Sequence, residues 1–513
     1  MRYHNIALAV AISPVVLLVS CTRAVREPRL ISPADIPSAA SASGPLKAHM
    51  HSGDLVVLQE WTETDSALVG RGSRYGPDRT ATHMGRIEFV LPFDSIALLE
   101  IEVHAGRRTT GVTGIAVWTV LYGIVTVRCV ADPKGCFGSC PTFYVATDSG
   151  EALAAEGFSG SIARALEARD LDALYPAKSA GGPFSVVMRN EALETHAIRG
   201  LRLLAVPRPQ GGRVLAAPDD RLYAARALTE PVRCVSPEGD CLAPLRALDG
   251  AERTSLADSG DLATTETLEL EFPAARGALG LVLAARQSLL STYLFYQTMG
   301  FLGRQAGEAL AALERGGRDV AARAMGMARL VGTIRLDVWD GTTWTPLGTH
   351  EEAGPLARQI TVFPFVHEAG GPIRVRLTAP KGAWRLDWAA LAALDGPVEP
   401  LTLEPITISG DGVPDSVALA LLRDPARHLV TYPGDTYRIT FDLPATDGEW
   451  ELLLESEGYY YEWMRAEWLA DEDPGLAALA LGDPAHALRV LAPAFKRAEA
   501  DMELRFWNSR FRR

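Results

Sequence analysis

Short runs in which apolar and polar residues alternate recur along this chain. A period of two commits a segment to a half-buried strand, because successive side chains leave a strand on opposite sides. Residues 266–273, ETLELEFP, set Leu268, Leu270 and Phe272 on one side and Glu269 and Glu271 on the other. Residues 333–348, TIRLDVWDGTTWTPLG, carry Asp340-Gly341 between two alternating arms, which is a hairpin signal. QITVFPF, PIRVRLTAP and AWRLDWAAL follow at short intervals, so 332–394 is predicted to be a β-sandwich. The stretch 51–103 alternates as well (Ile87, Phe89 and Leu91 against Glu88 and Val90) and reads as a small antiparallel barrel or curled sheet, with GRGSRYG from Gly70 as a mobile β-loop. No repeat recurs at a fixed period, which argues against a solenoid or propeller.

Helical signals are fewer. Residues 160–176, GSIARALEARDLDALYP, predict a short helix capped by Ser161. Residues 280–303 predict a strand running into a buried helix, 305–325 a helix weakened at Gly316-Gly317, and 485–513 a helical end. Residues 184–206 read as strand, turn, strand. The expected fold is therefore mainly β with α, an α+β chain of several antiparallel sandwich or barrel-like modules with a few helices. Composition shifts divide it into a leader (1–20), a tether (21–50), a small β domain (51–105), an apolar segment (106–130), a mixed region with a cysteine motif (131–250), a sandwich with a helical insertion (251–398) and a C-terminal β region with a helical tail (399–513).

The leader has a cation at Arg2 and an apolar run from Ile6 to Val19, too short to span a bilayer and suited to a signal-peptide core. It ends on Leu18-Val19-Ser20-Cys21, which resembles the lipobox of bacterial lipoproteins. The resemblance implies lipidation of Cys21 and a membrane partner reached through that anchor. Two or more acyl chains hold stably, since each buried methylene contributes about 0.8 kcal/mol. Thr22 in place of Asp implies, by the same resemblance, the outer membrane on its periplasmic face or at the cell surface. The Ser-, Ala- and Pro-rich residues 22–50 read as a flexible tether.

The net charge is −13, and removing the leader with Arg2 makes it one unit more negative. Such a surface repels phosphates, so nucleic acid is excluded as a partner and the anchor must be covalent. Residues 109–127 contain no charge and are long enough to cross a membrane, but their β-branched residues and glycines also suit a buried strand pair or helix.

Besides Cys21 the chain has Cys129, Cys136, Cys140, Cys234 and Cys241. Cys234 and Cys241 flank VSPEGD, whose turn residues suit a disulfide hairpin. Cys136 and Cys140 bracket Phe-Gly-Ser and could close a tight structural disulfide, the alternatives being free buried thiols or redox or metal chemistry. Three intervening residues do not match a thioredoxin-like pair, and no further ligand lies close enough for zinc.

Few constellations suit catalysis. GFSGS at 157–161 lacks the spacing of a nucleophile elbow. His49 and His51 stand too close for one helical face, and Asp411 and Asp415 in GDGVPDS fit turns better than a calcium loop, so no metal or cofactor is expected. Glu455, Glu457 and Glu462 lie among Tyr459, Tyr460, Tyr461, Trp463 and Trp468. Aromatics beside carboxylates suit glycan contact, and paired carboxylates could hydrolyse a glycosidic bond. A helix packing Tyr461, Met464 and Trp468 on one face is the structural alternative.

Several motifs occur in order: CFGSCPTFYV, SIARALEARDLDAL, MRNEALETHAIRGLRLLAV, ARQSLLSTYLFYQTMG, HLVTYPGDTYRITFDLP and GYYYEWMRAEWL. With these, the chain from about Cys129 to Leu469 resembles a family of uncharacterised bacterial secreted proteins built around a Cys-Pro-Thr-x-Tyr segment. That resemblance implies an architecture and a compartment but no activity. The expected function is a non-catalytic binding or assembly module with an envelope protein or glycan partner, and the alternative is a periplasmic or surface hydrolase using the carboxylates near 455–462.

Overall fold

The computed structural model describes residues 22–31, 46–50, 52, 54–76, 81–109, 140–148, 150–192, 194–306, 309, 325–351, 354–462 and 471–508. Cys21, Cys129, Cys136, Trp463, Trp468, residues 110–127 of the apolar run and nearly all of the helix expected at 305–325 lie outside them. The chain is mainly antiparallel β, 52% strand, with five helices among the described residues. A share of strand about twice the ordinary value is what the recurrent period-two pattern demands.

The first sheet holds β1 (Thr22–Ile31), β2 (Leu46–Met50), β3 (Leu55–Glu63), β4 (Ala67–Tyr75), β5 (Ala81–Pro92) and β6 (Ile96–Thr109), in the order β1-β6-β2-β3-β4-β5. Two expectations change here. Residues 22–31, expected in the tether, pair with β6 from Thr22↔Thr109 to Ile31↔Leu99. GRGSRYG lies mostly in β4 and is no loop: a Cβ on Gly72 would stand 1.8 Å from Val57 O of β3, so the glycine serves close approach of two strands.

From residue 140 the strands are β7 (Thr142–Thr147), β8 (Gly150–Glu156), β9 (Ala168–Ala173), β10 (Gly182–Arg189), β11 (Glu194–Pro207), β12 (Arg213–Ala216), β13 (Leu222–Thr229), β14 (Arg233–Ser236) and β15 (Gly239–Asp240). Next come β16 (Thr265–Ala274), β17 (Gly277–Gln287), helix α1 (Leu290–Leu302) and helix α2 (Gly326–Val331). Then follow β18 (Thr333–Trp339), β19 (Trp344–Glu351), β20 (Gln359–His367), β21 (Pro372–Pro380), β22 (Trp384–Val398), β23 (Leu401–Leu403), β24 (Thr407–Gly410) and β25 (Val413–Pro414). The chain ends with α3 (Ser416–Leu422), β26 (Leu429–Thr431), β27 (Thr436–Leu443), β28 (Trp450–Glu462), α4 (Pro474–Gly482) and α5 (Pro484–Asn508).

These strands build a sandwich, a barrel and a further sheet. The sandwich packs β25-β24-β27-β10-β7-β8 against β23-β11-β28-β9 over Phe143, Ile198, Leu203, Phe441 and Leu454. The barrel closes as β12-β13-β22-β17-β20. The sheet β15-β14-β16-β21-β18-β19 and the helices α1, α2, α4 and α5 share one core with it. The strand running into a buried helix at 280–303 is present as β17 and α1. β17 is buried on both faces, with Leu279, Leu281 and Leu283 in that shared core and Val282 and Ala284 in a second cluster.

The sheets cross the divisions expected at 250 and 398. β10 pairs with β27 and β11 with β28, so the mixed region and the C-terminal region are halves of one sandwich, interrupted by the barrel. The helix expected at 160–176 is a single turn at 164–166 followed by β9. Apolar spacing of three to four there coincides with alternate positions, and pairing with β28 decides for the strand. Asp411 takes a positive φ at a turn and Asp415 caps α3, the roles turn chemistry predicts.

Candidate functional site

The CPTFY motif is architectural. Thr142 Oγ1 and the Tyr144 hydroxyl donate to one oxygen of Glu191, at 3.0 and 2.7 Å, and Arg189 lies over the Tyr144 ring at 4.3 Å. Residues from two of the quoted motifs thus lock β7 to the turn after β10. Cys140 carries a free, buried thiol, so the expected Cys136–Cys140 disulfide is not formed. Cys234 and Cys241 are bonded as expected, with Cα atoms 5.0 Å apart.

YYYE at 459–462 is the end of β28, so Tyr461 and Glu462, expected on one helix with Met464 and Trp468, lie on a strand that divides its side chains. Tyr459 and Tyr461 turn to one face, ring centroids 5.1 Å apart, with His428 against Tyr459. Glu455 and Glu457 share that face. Glu455 lies 2.9 Å from Arg169 and 2.5 Å from Arg202, while Glu457 lies 3.6 Å from Arg199. Tyr460 and Glu462 point the other way, into the sandwich. The expected carboxylates therefore do not converge, and of the three expected aromatics that are described Tyr460 lines the cavity between the sandwich and α1.

On that inner face β11 sets Glu194 directly opposite Glu462 and His196 opposite Tyr460. Glu194 and His196 are fully buried, Glu462 is 2% exposed and Tyr460 7%. His196 Nε2 stands 3.1 Å from Glu194 Oε2, and the rings of His196 and Tyr460 meet edge to face. The Tyr296 hydroxyl of α1 donates to Glu462, and Tyr460 donates to Ser159 O at 2.9 Å.

Cys140 and Glu156 complete the wall from the facing sheet. Glu156 Oε2 accepts from the backbone N–H of Leu356 at 2.7 Å and of Ala357 at 3.1 Å, so the sandwich holds a loop of the barrel. A Cβ on Gly354 would stand 2.2 Å from the Glu156 carboxyl, so a larger residue there would displace that side chain. Burial pushes the Cys140 thiol well up, and Glu156, Glu194 and Glu462 push it further. Burial likewise pushes the Tyr460 phenol up, helped by Cys140, Glu194 and Glu462. Both groups remain protonated at neutral pH, which removes Cys140 as a ready nucleophile.

Between this wall and α1 and α2 lies a cavity of about 380 Å³. Its buried floor is Cys140, Glu156, Tyr296, Tyr460 and Glu462; Ile162, Leu166, Phe295 and Met325 add apolar surface. Arg329 of α2 and Glu351 are exposed and line its edge. Among the described residues Arg329 is the one arginine or lysine lining it. Small-molecule sites of this size favour junctions between structural units, and this one lies where sandwich meets barrel. No described group of three or more His, Cys, Asp or Glu has the geometry to hold a metal ion.

The sequence reading named Glu462, Tyr460 and Cys140 but missed Glu156, Glu194, His196 and Tyr296. The available signal was period two: Glu194-x-His196 and Tyr460-x-Glu462 each place both side chains on one face of a strand.

No helix among the described residues is long and apolar enough to cross a membrane. No family model matches the sequence and no curated protein matches it. Among solved structures, the secreted serine protease VesC from Vibrio cholerae is similar over 69% of this chain and 93% of its own, at 7% identity and a TM-score of 0.15. The VP2 subviral particle of infectious bursal disease virus is similar over 73% and 88%, at 11% identity and a TM-score of 0.15, and likenesses this slight carry no argument about function.

Proposed function

We propose that this chain is a lipid-anchored protein of the bacterial cell envelope whose body binds a ligand or partner without transforming it. The Leu18-Val19-Ser20-Cys21 motif supports the anchor, and Thr22 supports the outer membrane as its place. One observation carries the binding reading: Glu455 and Glu457 are held by arginines on the sheet face opposite Glu462. A glycosidase needs two carboxyl groups facing one bond, roughly 5–10 Å apart, one of them free to give up or take a proton. The cavity at the junction of sandwich and barrel supplies a place for a ligand, and the envelope offers protein or glycan partners to the anchored body.

Two measurements test this. Wild-type protein is expected in the membrane fraction with a lipidated Cys21 peptide by mass spectrometry, and Cys21→Ala is expected to be soluble or unprocessed; a Cys21→Ala variant still anchored overturns the anchor. Glu455→Gln and Glu457→Gln are each expected to leave binding of envelope components unchanged. A hydrolytic activity that falls by about a thousandfold in either variant establishes the hydrolase instead.

A further inference from the structure

We infer that the cavity between the sandwich and α1 is a binding site for a small zwitterion, an α-amino acid with an apolar side chain. This rests on the reading of the chain as a binding protein and names its ligand class.

The carboxylates of the floor are engaged within the fold. Glu156 accepts from the backbone N–H groups of Leu356 and Ala357, and Glu462 accepts from the Tyr296 hydroxyl. The choice of ligand therefore falls to the walls and the edge, which are divided by polarity. At one end the close of α2 meets the start of α1, since a Cβ on Gly332 would stand 3.4 Å from Gln287 Nε2. Thr333 follows, and the register of β18 and β19 sets Glu351 directly opposite it. Arg329 belongs to the same end, four residues before Thr333 on α2. At the other end Leu166, Phe295 and Met325 pack onto the sandwich core beside Ile162. Met325 and Arg329 stand one helical turn apart, the Arg329 N–H donating to Met325 O at 3.0 Å, so α2 carries the division along its own length.

Arg329 and Glu351 are exposed, and among the described residues neither has an ion-pair partner, so both charges are available to a ligand. A matching molecule has a carboxylate for the Arg329 guanidinium, which suits paired N–H bonds, and an ammonium for Glu351. Its remaining part is an apolar side chain for Phe295, Met325, Leu166 and Ile162. A ligand with one charge satisfies one of the two edge groups, and an uncharged ligand neither. The volume of about 380 Å³ suits a small organic molecule. Because Arg329 and Glu351 face water, the charged head stays partly hydrated and the apolar part alone must leave solvent.

Isothermal titration calorimetry of the full chain tests this with L-phenylalanine, L-leucine, phenethylammonium and 3-phenylpropionate. The last two are phenylalanine without its carboxylate and without its ammonium. At least one amino acid is expected to bind more tightly than either single-charge probe. Arg329→Gln is expected to weaken it about threefold while leaving phenethylammonium no weaker, and Glu351→Gln to weaken it about threefold while leaving 3-phenylpropionate no weaker. Both substitutions are exposed, which keeps folding out of the comparison. A single-charge probe that binds as tightly as the better amino acid overturns the zwitterion and leaves the binding cavity standing. Amino-acid binding indifferent to either substitution overturns it as well. Absence of all binding overturns the inference, whereas the anchored binding protein is judged separately by fractionation and by the envelope components it retains.

Discussion

Two buried polar clusters stand on either side of the loop 354–357, one built on arginine–carboxylate pairs and the other around a thiol and a phenol. Under α5, Arg286 lies 2.7 Å from Glu252 and 3.2 Å from Glu503, Arg385 lies 2.9 Å from Glu503, and Arg358 lies 3.0 Å from Asp387. Three arginines meet three carboxylates there, and Arg286 also donates to Pro355 O at 2.6 Å. Burial opposes the charge on Glu252, yet the Arg286 guanidinium beside it holds its carboxyl below the usual range. Across the loop, Glu156, Glu194 and Glu462 surround one thiol and one phenol, and burial with Glu194 and Glu462 pushes both groups up. The arginine cluster fastens helix to barrel, whereas the second lines a cavity.

Arg286→Ala gives the sharpest test of that contrast. It leaves Glu252 and Glu503 buried beside fewer cations and is expected to cost about 3–5 kcal/mol by denaturant unfolding. A cost under about 1 kcal/mol, the value of an exposed ion pair, breaks the comparison, because the arginine cluster would then be dispensable.

A smaller effect is expected from His350, buried against Phe363 and Trp384 with no charge set against it. Burial pushes its imidazole down to about 4. The unfolded chain takes up a proton near pH 6.5 that the folded chain refuses until about pH 4. Stability from this residue is therefore complete above pH 6.5 and declines as pH falls towards 4, by about 3 kcal/mol in all. His350→Phe is expected to remove that part of the acid sensitivity, and unchanged pH dependence of unfolding between the two proteins refutes it.

Glu194→Gln is expected to have the smallest effect on unfolding. It keeps the size of the side chain and an acceptor for His196, so stability should hold within about 1 kcal/mol. A large loss would show that Glu194 fastens the sandwich as Arg286 fastens the helix, and the two clusters would cease to differ in kind.

Strand positions were legible wherever local pattern and tertiary demand agree. ETLELEFP, the Asp340-Gly341 hairpin, the strand leading into α1 and the Cys234–Cys241 bridge all follow from side-chain alternation or turn chemistry within a dozen residues. The segment 160–176 and the pair Tyr461 and Glu462 also fit a helical period, because short apolar runs fit both periods, and only pairing with a distant strand decides. The cavity was less legible still. Its floor joins Cys140, Glu156, Tyr296, Tyr460 and Glu462 from distant parts of the sequence, a meeting that no local spacing encodes. The crossing of the expected divisions has the same cause: β10 and β27 are partners separated by the whole barrel.

That long separation bears on how the molecule matures. β7 to β11 emerge first but lack β27 and β28 until some 450 residues have been made, so the early half waits with bare backbone edges and an uncovered apolar face. Pairing over such distances is slow, and waiting edges recruit wrong neighbours. A polypeptide of this layout is suited to crossing a membrane as an extended thread and closing only after its last strand has arrived. Stopping synthesis near residue 400 should leave material that clumps, and no smaller working version.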